Sequence, residues 1–297
     1  MKKIFNKLIK SMIMNYKVLQ NWWAPYLVKI GLIRETTLRF KNNLRYKLTP
    51  LNWREFLLVR GFIYRGYNVN RLNNEWILII NDIKLLIPKL ELIWPVIVEP
   101  YEKIYPPLYF KGKRVLDIGA FIGDTPILFV KRYKAKQVIA YEPHPLYYSI
   151  LTKNIKLNDV EDKVIPINKA IMDIRTKAHI EDAGSSSRII PSKEGSITCE
   201  TLNDALLTWN VNVVKMDCEG CEHKVIPTTS PRLLNNLEAL IVEIHGKPNK
   251  IIQYIEGNTS LKLVSLVRHP ALEYLKLSEE IYVTIFINKN KLNTKMT

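Results

Sequence analysis

The run Arg114-Val-Leu-Asp-Ile-Gly-Ala-Phe-Ile-Gly-Asp-Thr125 restricts the possible folds more than any other stretch. Val115 and Leu116 open an apolar strand, Asp117 stands near its carboxyl end, and Gly119 and Gly123 bracket a tight turn. Ile127, Leu128 and Phe129 then supply the buried face of a helix. A glycine-bracketed strand-to-helix turn reads as α/β. It is expected to offer backbone N–H groups and the positive end of a helix dipole to a phosphate or a carboxylate. Two phosphate-binding patterns are excluded by spacing. A dinucleotide fingerprint needs G-x-G-x-x-G, and Phe121 occupies the place of its second glycine. No Gly-Lys-Ser/Thr follows to make a Walker loop. The next strand, Val138-Ile-Ala-Tyr-Glu142-Pro143, ends in an acid about 20 residues after the turn, where such folds hold a ribose.

From residue 114 onward strand and helix patterns alternate, which implies a parallel sheet with crossover helices. Strands are expected at 114–119, 137–142, 164–168, 211–217, 238–245, 261–267 and 281–288. Helices are expected near 123–133, 145–158, 201–208, 222–226 and 248–256. The segment 172–200, with Gly184-Ser-Ser-Ser187 and Gly195-Ser196, reads as a loop or hairpin. Ligands of such sheets bind outside the carboxyl ends of the strands, so loops on that side are candidate substrate walls.

Residues 1–100 read as an accessory segment ahead of a catalytic domain at 101–297. Residues 3–23 form an expected amphipathic helix. Ile4, Leu8, Met12, Tyr16, Leu19 and Trp23 share one face, with Phe5, Ile9 and Ile13 at its edge and Lys3, Lys7, Lys10 and Lys17 opposite. That face suits either packing or a membrane interface with Trp22 and Trp23 at its end. A second helix begins after Pro50 and Asn52. Trp76–Ile80 and Ile83–Ile87 form a hairpin turning at Asn81-Asp82, and Pro95, Pro100, Pro106 and Pro107 punctuate the approach to the main sheet.

At 297 residues and 47% hydrophobic content the chain can fill a sizeable core. Its net charge of +16 is uneven: residues 1–47 hold eleven Lys/Arg and one acid, a net of +10, and the remainder holds 33 and 27, a net of +6. Such asymmetry suits an anionic partner, a membrane surface or a nucleic acid. Three cysteines make no disulfide framework and fit a reducing compartment. No apolar run reaches the roughly 18–20 residues that span a bilayer, and lysines interrupt the start of the chain as a signal segment, so the cytoplasm is the expected location.

Asp117, the 119–123 turn and Glu142 resemble the cofactor motifs of S-adenosylmethionine-dependent methyltransferases. More narrowly, Val115–Thr125, Glu142-Pro143 with Asn154, Lys215-Met-Asp217-Cys-Glu219-Gly220-Cys-Glu222 and Val242-Glu243-Ile244-His245 resemble the FkbM family over about residues 105–290. The resemblance implies a Rossmann-like α/β fold: a seven-stranded, mostly parallel methyltransferase sheet with its last strand antiparallel, behind the N-terminal helical and hairpin extension. It also implies S-adenosylmethionine as cofactor and a hydroxyl acceptor on a sugar, glycan or small metabolite.

On that basis Asp117 serves the amino-acid end of the cofactor, Gly119, Ala120 and Gly123 permit close approach, and Asp124 and Thr125 cap the helix and touch the ligand. Glu142 accepts the ribose hydroxyls beside Pro143. Asp217, Glu219, Glu243 and His245 are the candidates for holding the acceptor and taking its proton, while Glu222 serves the next helix. Cys218 and Cys221 with His223 are half of a zinc pattern without a second pair, so no metal is expected. No Asn/Asp-Pro-Pro-Tyr/Phe cage and no Pro-Cys nucleophile follow the fourth strand, which points away from amino and cytosine-C5 methylation. The alternatives are an RNA methyltransferase whose basic N-terminus tracks phosphates, although no RNA-binding motif is present, and a non-catalytic module that docks to membranes.

Overall fold

The computed structural model describes residues 2–72, 75–87, 89–90, 101–181, 187–270, 272 and 278–292. The chain divides into two units, Met1–Trp94 and Pro95–Thr297. Pro95 and Pro100 lie outside the described residues, as do Gly184 and the two serines after it.

In the first unit the opening helix is Lys2–Val18, not 3–23. It stops because Leu19 turns into a β-bridge with Phe40, and Pro25 starts a second helix at Ala24–Lys29. The face it buries also differs from expectation. Asn15 and Val18 point inward, and Arg60 of the helix Trp53–Tyr64 donates to Ser11 Oγ at 2.9 Å and Asn15 Oδ1 at 2.8 Å. Leu8, Ile9, Met12, Ile13 and Tyr16 are exposed, while the side chains of Lys3, Ile4, Phe5 and Lys7 lie outside the described residues. Strands β1 (Thr36–Arg39) and β2 (Arg45–Leu48) form an antiparallel pair that the sequence reading lacked. The expected hairpin is β4 (Glu75–Ile80) and β5 (Ile83–Ile87), and β3 (Asn68–Leu72) adds a third strand on the outer side of β4. Asn81 takes a positive φ of 55° at its turn, which asparagine tolerates better than most residues.

In the second unit the main sheet contains β6 (Arg114–Ile118), β7 (Gln137–Tyr141), β8 (Val164–Ile167), β13 (Val213–Met216), β14 (Ala239–His245), β15 (Leu261–Arg268) and β16 (Ile281–Asn288). Its order is β15-β16-β14-β13-β6-β7-β8, with β16 inserted antiparallel between β14 and β15. This is the Rossmann-like methyltransferase sheet that the strand pattern predicts. Central strands covered on both faces read as continuous apolar runs. Leu116, Ile118, Ile139, Val214, Met216, Leu240, Val242 and Ile244 accordingly join one core. The flanking helices Asp124–Lys131, Pro145–Leu157, Leu202–Trp209, Glu222–Thr228 and Asn249–Asn258 follow the expected positions.

The stretch 172–200 is not a loop or a lone hairpin. Between β8 and β13 lie β9 (Ala170–Met172), β10 (Thr176–Glu181), β11 (Arg188–Pro191) and β12 (Ile197–Thr201), a second sheet in the order β11-β10-β12-β9. Ala170, Met172, Ala178, Ile197 and Cys199 form its own small core.

Candidate active site

The site begins with a charge in the middle of the sheet. Asp117 on β6 and Lys215 on β13 are register partners, so their side chains leave the same face of adjacent parallel strands. Both are buried. Lys215 Nζ lies 3.2 Å from Asp117 Oδ1 and 3.8 Å from Asp217 Oδ2, and donates to Gly119 O at 2.9 Å. Burial opposes its charge, yet Asp117, Asp217 and Asp124 outweigh burial and hold the ammonium above the ordinary lysine range. Asp117 also accepts from Thr125 Oγ1 at 2.7 Å. Asp117 and Thr125 thus brace the turn from below, with Asp117 wholly inaccessible. No side chain caps the helix here: Gly123 is its N-cap, and Asp124 accepts from the Tyr101 hydroxyl at 2.6 Å, which corrects the expected capping role of Asp124 and Thr125.

The turn differs from the expected N–H cradle. Gly119 and Ala120 N–H groups donate to Tyr141 O, Phe121 N–H to Glu142 Oε2, and Gly123 N–H to Ala120 O. Those donors are spent inside the fold, so the turn has little left for a phosphate. The two glycines are required by the protein itself. A Cβ on Gly119 would sit 1.8 Å from Asp217 O, and one on Gly123 would sit 2.8 Å from Leu151 Cδ1. Asn154 is fully buried and donates to Ile122 O at 2.8 Å, so it too pins the turn.

Glu142 follows β7 and accepts from the backbone N–H of Phe121 and of His144, both at 2.8 Å, with one oxygen each. Each carboxylate oxygen keeps a further lone pair for a ligand hydroxyl. Burial pushes this carboxyl up to about 8, although the two N–H donors pull against it. Pro143 accepts from Asn168 Nδ2 at 3.2 Å, which fixes the chain as it leaves the strand.

After β13 and β14 the structure brings together the four residues expected to handle the acceptor. Glu222, wholly buried, accepts from the His245 N–H at 2.7 Å and the Gly220 N–H at 3.0 Å, and its Oε1 lies 3.3 Å from His245 Nδ1. Glu222 therefore holds His245 and does not merely start a helix. His245 Nε2 points the other way, 3.2 Å from Glu219 Oε2 and 4.0 Å from Glu243 Oε1. Burial lowers the imidazole pKa, but the bonds to Glu219 and Glu222 overcome it and push the ring up to about 11. The single donor atoms of Asp217, Glu243 and His245 all lie within 4.8 Å of one another. Glu219 has a positive φ of 56°. Cys218 and Cys221 are joined as a disulfide with Cα atoms 5.4 Å apart, a correction to the expectation that the cysteines form no such link.

Sequence reasoning gave Lys215 no role and missed Tyr101 and His269, whose Nε2 lies 3.6 Å from Glu243 Oε2. Only Lys215 carried a signal: it is the one charge within the apolar run Val213–Met216.

Residues 117–263 match the Methyltransferase FkbM domain. The chain carries an FkbM methyltransferase domain. The methyl donor of such a domain is S-adenosylmethionine. Its cationic sulfonium and ammonium suit the acids at the strand ends, among them Asp217, Glu219 and Glu243, which lie about His245. No curated protein matches the sequence. Among solved structures the chain is similar to P. horikoshii TYW2 in complex with MeSAdo, at 14% identity and a TM-score of 0.49, over 88% of this chain and 94% of that one. It is also similar to the M. jannaschii tRNA m1G37 methyltransferase, at 20% identity and a TM-score of 0.43, over 75% of this chain and 57% of that one. At these values the similarity speaks to neither substrate nor partner of the FkbM domain.

Removing the lysine from the buried pair is expected to be costly, because it strands Asp117 without a counter-charge. Urea denaturation of Lys215→Met should show a loss of roughly 3–5 kcal/mol. A loss under about 1 kcal/mol, the range of surface pairs, would mean that the pair does not brace the domain.

Proposed function

We propose that this chain transfers a methyl group from S-adenosylmethionine to a hydroxyl oxygen of a sugar, glycan or small metabolite. The observation that carries the reading is the acidic strand edge: carboxylates of Glu142, Asp217, Glu219 and Glu243 stand near a turn in which the N–H groups of Gly119, Ala120, Phe121 and Gly123 are already used. Such an edge suits a cationic donor and a hydroxyl-rich acceptor and repels a phosphate. The donor supplies an electrophilic methyl on sulfur. The chain's residues bind, orient and handle one proton. Glu142 accepts the ribose hydroxyls beside Pro143. The backbone at Gly119, Ala120 and Gly123 lines the approach, and Asp117, Asp124 and Thr125 fix that backbone rather than meet the ligand. Asp217 and Glu243 accept hydrogen bonds from the acceptor. Glu219, a partly exposed carboxylate beside His245, takes the hydroxyl proton.

The first unit favours a further partner. Leu8, Ile9, Met12, Ile13, Tyr16 and Trp23 are exposed within a segment whose net charge is +10 (eleven basic groups and one acid over residues 1–47). We propose that residues 3–23 rest on an anionic membrane surface, with the apolar face inserted and the lysines over headgroups. Among the described residues no helix is long and apolar enough to cross a membrane.

Two outcomes are expected. Calorimetry at pH 7 should show S-adenosylmethionine binding with release of close to one proton, read from buffers of different ionisation enthalpy. The sign follows from Glu142. Its carboxyl is raised from 4.5 to about 8, so the ligand-free protein loses stability as pH rises through about 8. Ribose hydroxyls and a cationic ligand favour the ionised form, so affinity rises with pH up to about 8 and then levels. Glu142→Gln should weaken binding about tenfold or more and abolish the proton release. Absence of binding by the folded protein, or preference for a dinucleotide, would refute the donor assignment. For the membrane reading, the full chain should sediment with vesicles rich in phosphatidylglycerol, and Ile13→Glu should free it. Equal recovery in the supernatant with and without vesicles would refute that reading.

A further inference from the structure

Asp217, Glu243 and His245 come from the ends of two neighbouring strands, and their donor atoms lie within 4.8 Å of one another. An octahedral ion with bonds of about 2.1 Å places its cis donors about 3 Å apart and its trans donors about 4.2 Å apart, so three donors at this spacing need little movement to close on one. The imidazole is already aimed. Glu222 is wholly buried behind the ring and takes Nδ1, and the same oxygen accepts the His245 backbone N–H, so Nε2 faces the carboxylates. A carboxylate that orients a histidine from behind is the recurring outer partner of metal-bound imidazole. On the far side His269 Nε2 lies 3.6 Å from Glu243 Oε2. Asp217 and Glu219 side chains are 28% and 22% exposed, so an ion can enter from solvent.

We infer that Asp217, Glu243 and His245 bind one divalent cation of the Mn2+ or Mg2+ kind, and that this ion coordinates the hydroxyl to be methylated. The inference rests on the hydroxyl-acceptor reading for its chemistry, but not for the binding itself. Two carboxylates and one imidazole are a hard-to-borderline donor set with positions left open for substrate oxygen and water. Four carboxylates, Asp217, Glu219, Glu222 and Glu243, lie around one imidazole, a surplus of negative charge that a bound ion would offset. Coordination makes the hydroxyl more acidic. The O–H proton leaves to Glu219, an oxygen lone pair forms the O–CH3 bond, and the electrons of the breaking S–CH3 bond return to sulfur as the thioether. Cys218 and Cys221 do not compete, since their sulfurs are bonded to each other and Mn2+ avoids soft ligands.

The test is an electron paramagnetic resonance titration of the full chain with Mn2+ and no methyl donor, which reads free ion directly. One equivalent should bind, and Glu243→Gln and Asp217→Asn should each weaken it about tenfold or more. Mn2+ should raise the melting temperature of the unsubstituted protein and leave that of Asp217→Asn unmoved. Absence of bound Mn2+, or binding untouched by both substitutions, would overturn the inference. S-adenosylmethionine binding, measured separately on the same preparations, keeps the two claims apart. Mn2+ binding without it would refute the donor assignment alone, and donor binding without Mn2+ would refute this site alone.

Discussion

The Asp117–Lys215 pair is the constraint on which the site depends. A lysine inside an all-apolar strand stays charged only because Asp117 faces it across β6 and Asp217 and Gly119 O complete its surroundings. One ammonium thereby ties the end of β6, the turn after it and the start of the loop after β13. Replacement by packed hydrophobes would not necessarily cost stability, since buried pairs repay their desolvation only in part. What the pair adds is position: Gly119 sits so close to Asp217 O that a Cβ would meet it at 1.8 Å.

From that anchor the charge pattern follows outward. Inside the fold the acids are paired: Asp117 with Lys215 and Thr125, Asp124 with Tyr101, Glu222 with His245. At the strand ends stand four further acids, Glu142, Asp217, Glu219 and Glu243, of which Asp217 and Glu219 are partly exposed. The turn's N–H groups go to Tyr141, Glu142 and Ala120, so the positive side of this turn is consumed where a dinucleotide-binding turn would present it. On the proposed reading, a strand-turn-helix that looks ready for an anion serves a cation instead.

The seven strands of the main sheet were legible because strands buried on both faces appear as uninterrupted apolar runs, and the crossover helices because glycine and proline mark their starts. The second sheet was not. β10 buries only Ala178 and β11 buries no residue, and serines and Gly195 suggested a loop. Gly195 is there because a Cβ would meet Ala178 O at 2.0 Å, a contact between the turn before β12 and β10 that no local pattern reveals. The candidate site residues could be named from the sequence, but not their arrangement. That Glu222 holds His245 depends on β14 lying beside β13, and that the first helix buries Asn15 depends on Arg60, 45 positions away. The Cys218–Cys221 link needed the positive φ values of Glu219 and Gly220 between them, which a sequence count of cysteines does not contain.

The most direct measurement is a crystal structure of the full chain grown with S-adenosylmethionine. The account predicts both ribose hydroxyls on the Glu142 carboxylate and the methyl-bearing sulfur turned toward Asp217, Glu219 and His245. A ligand bound away from Glu142, or with its methyl pointing away from the ends of β13 and β14, would contradict it.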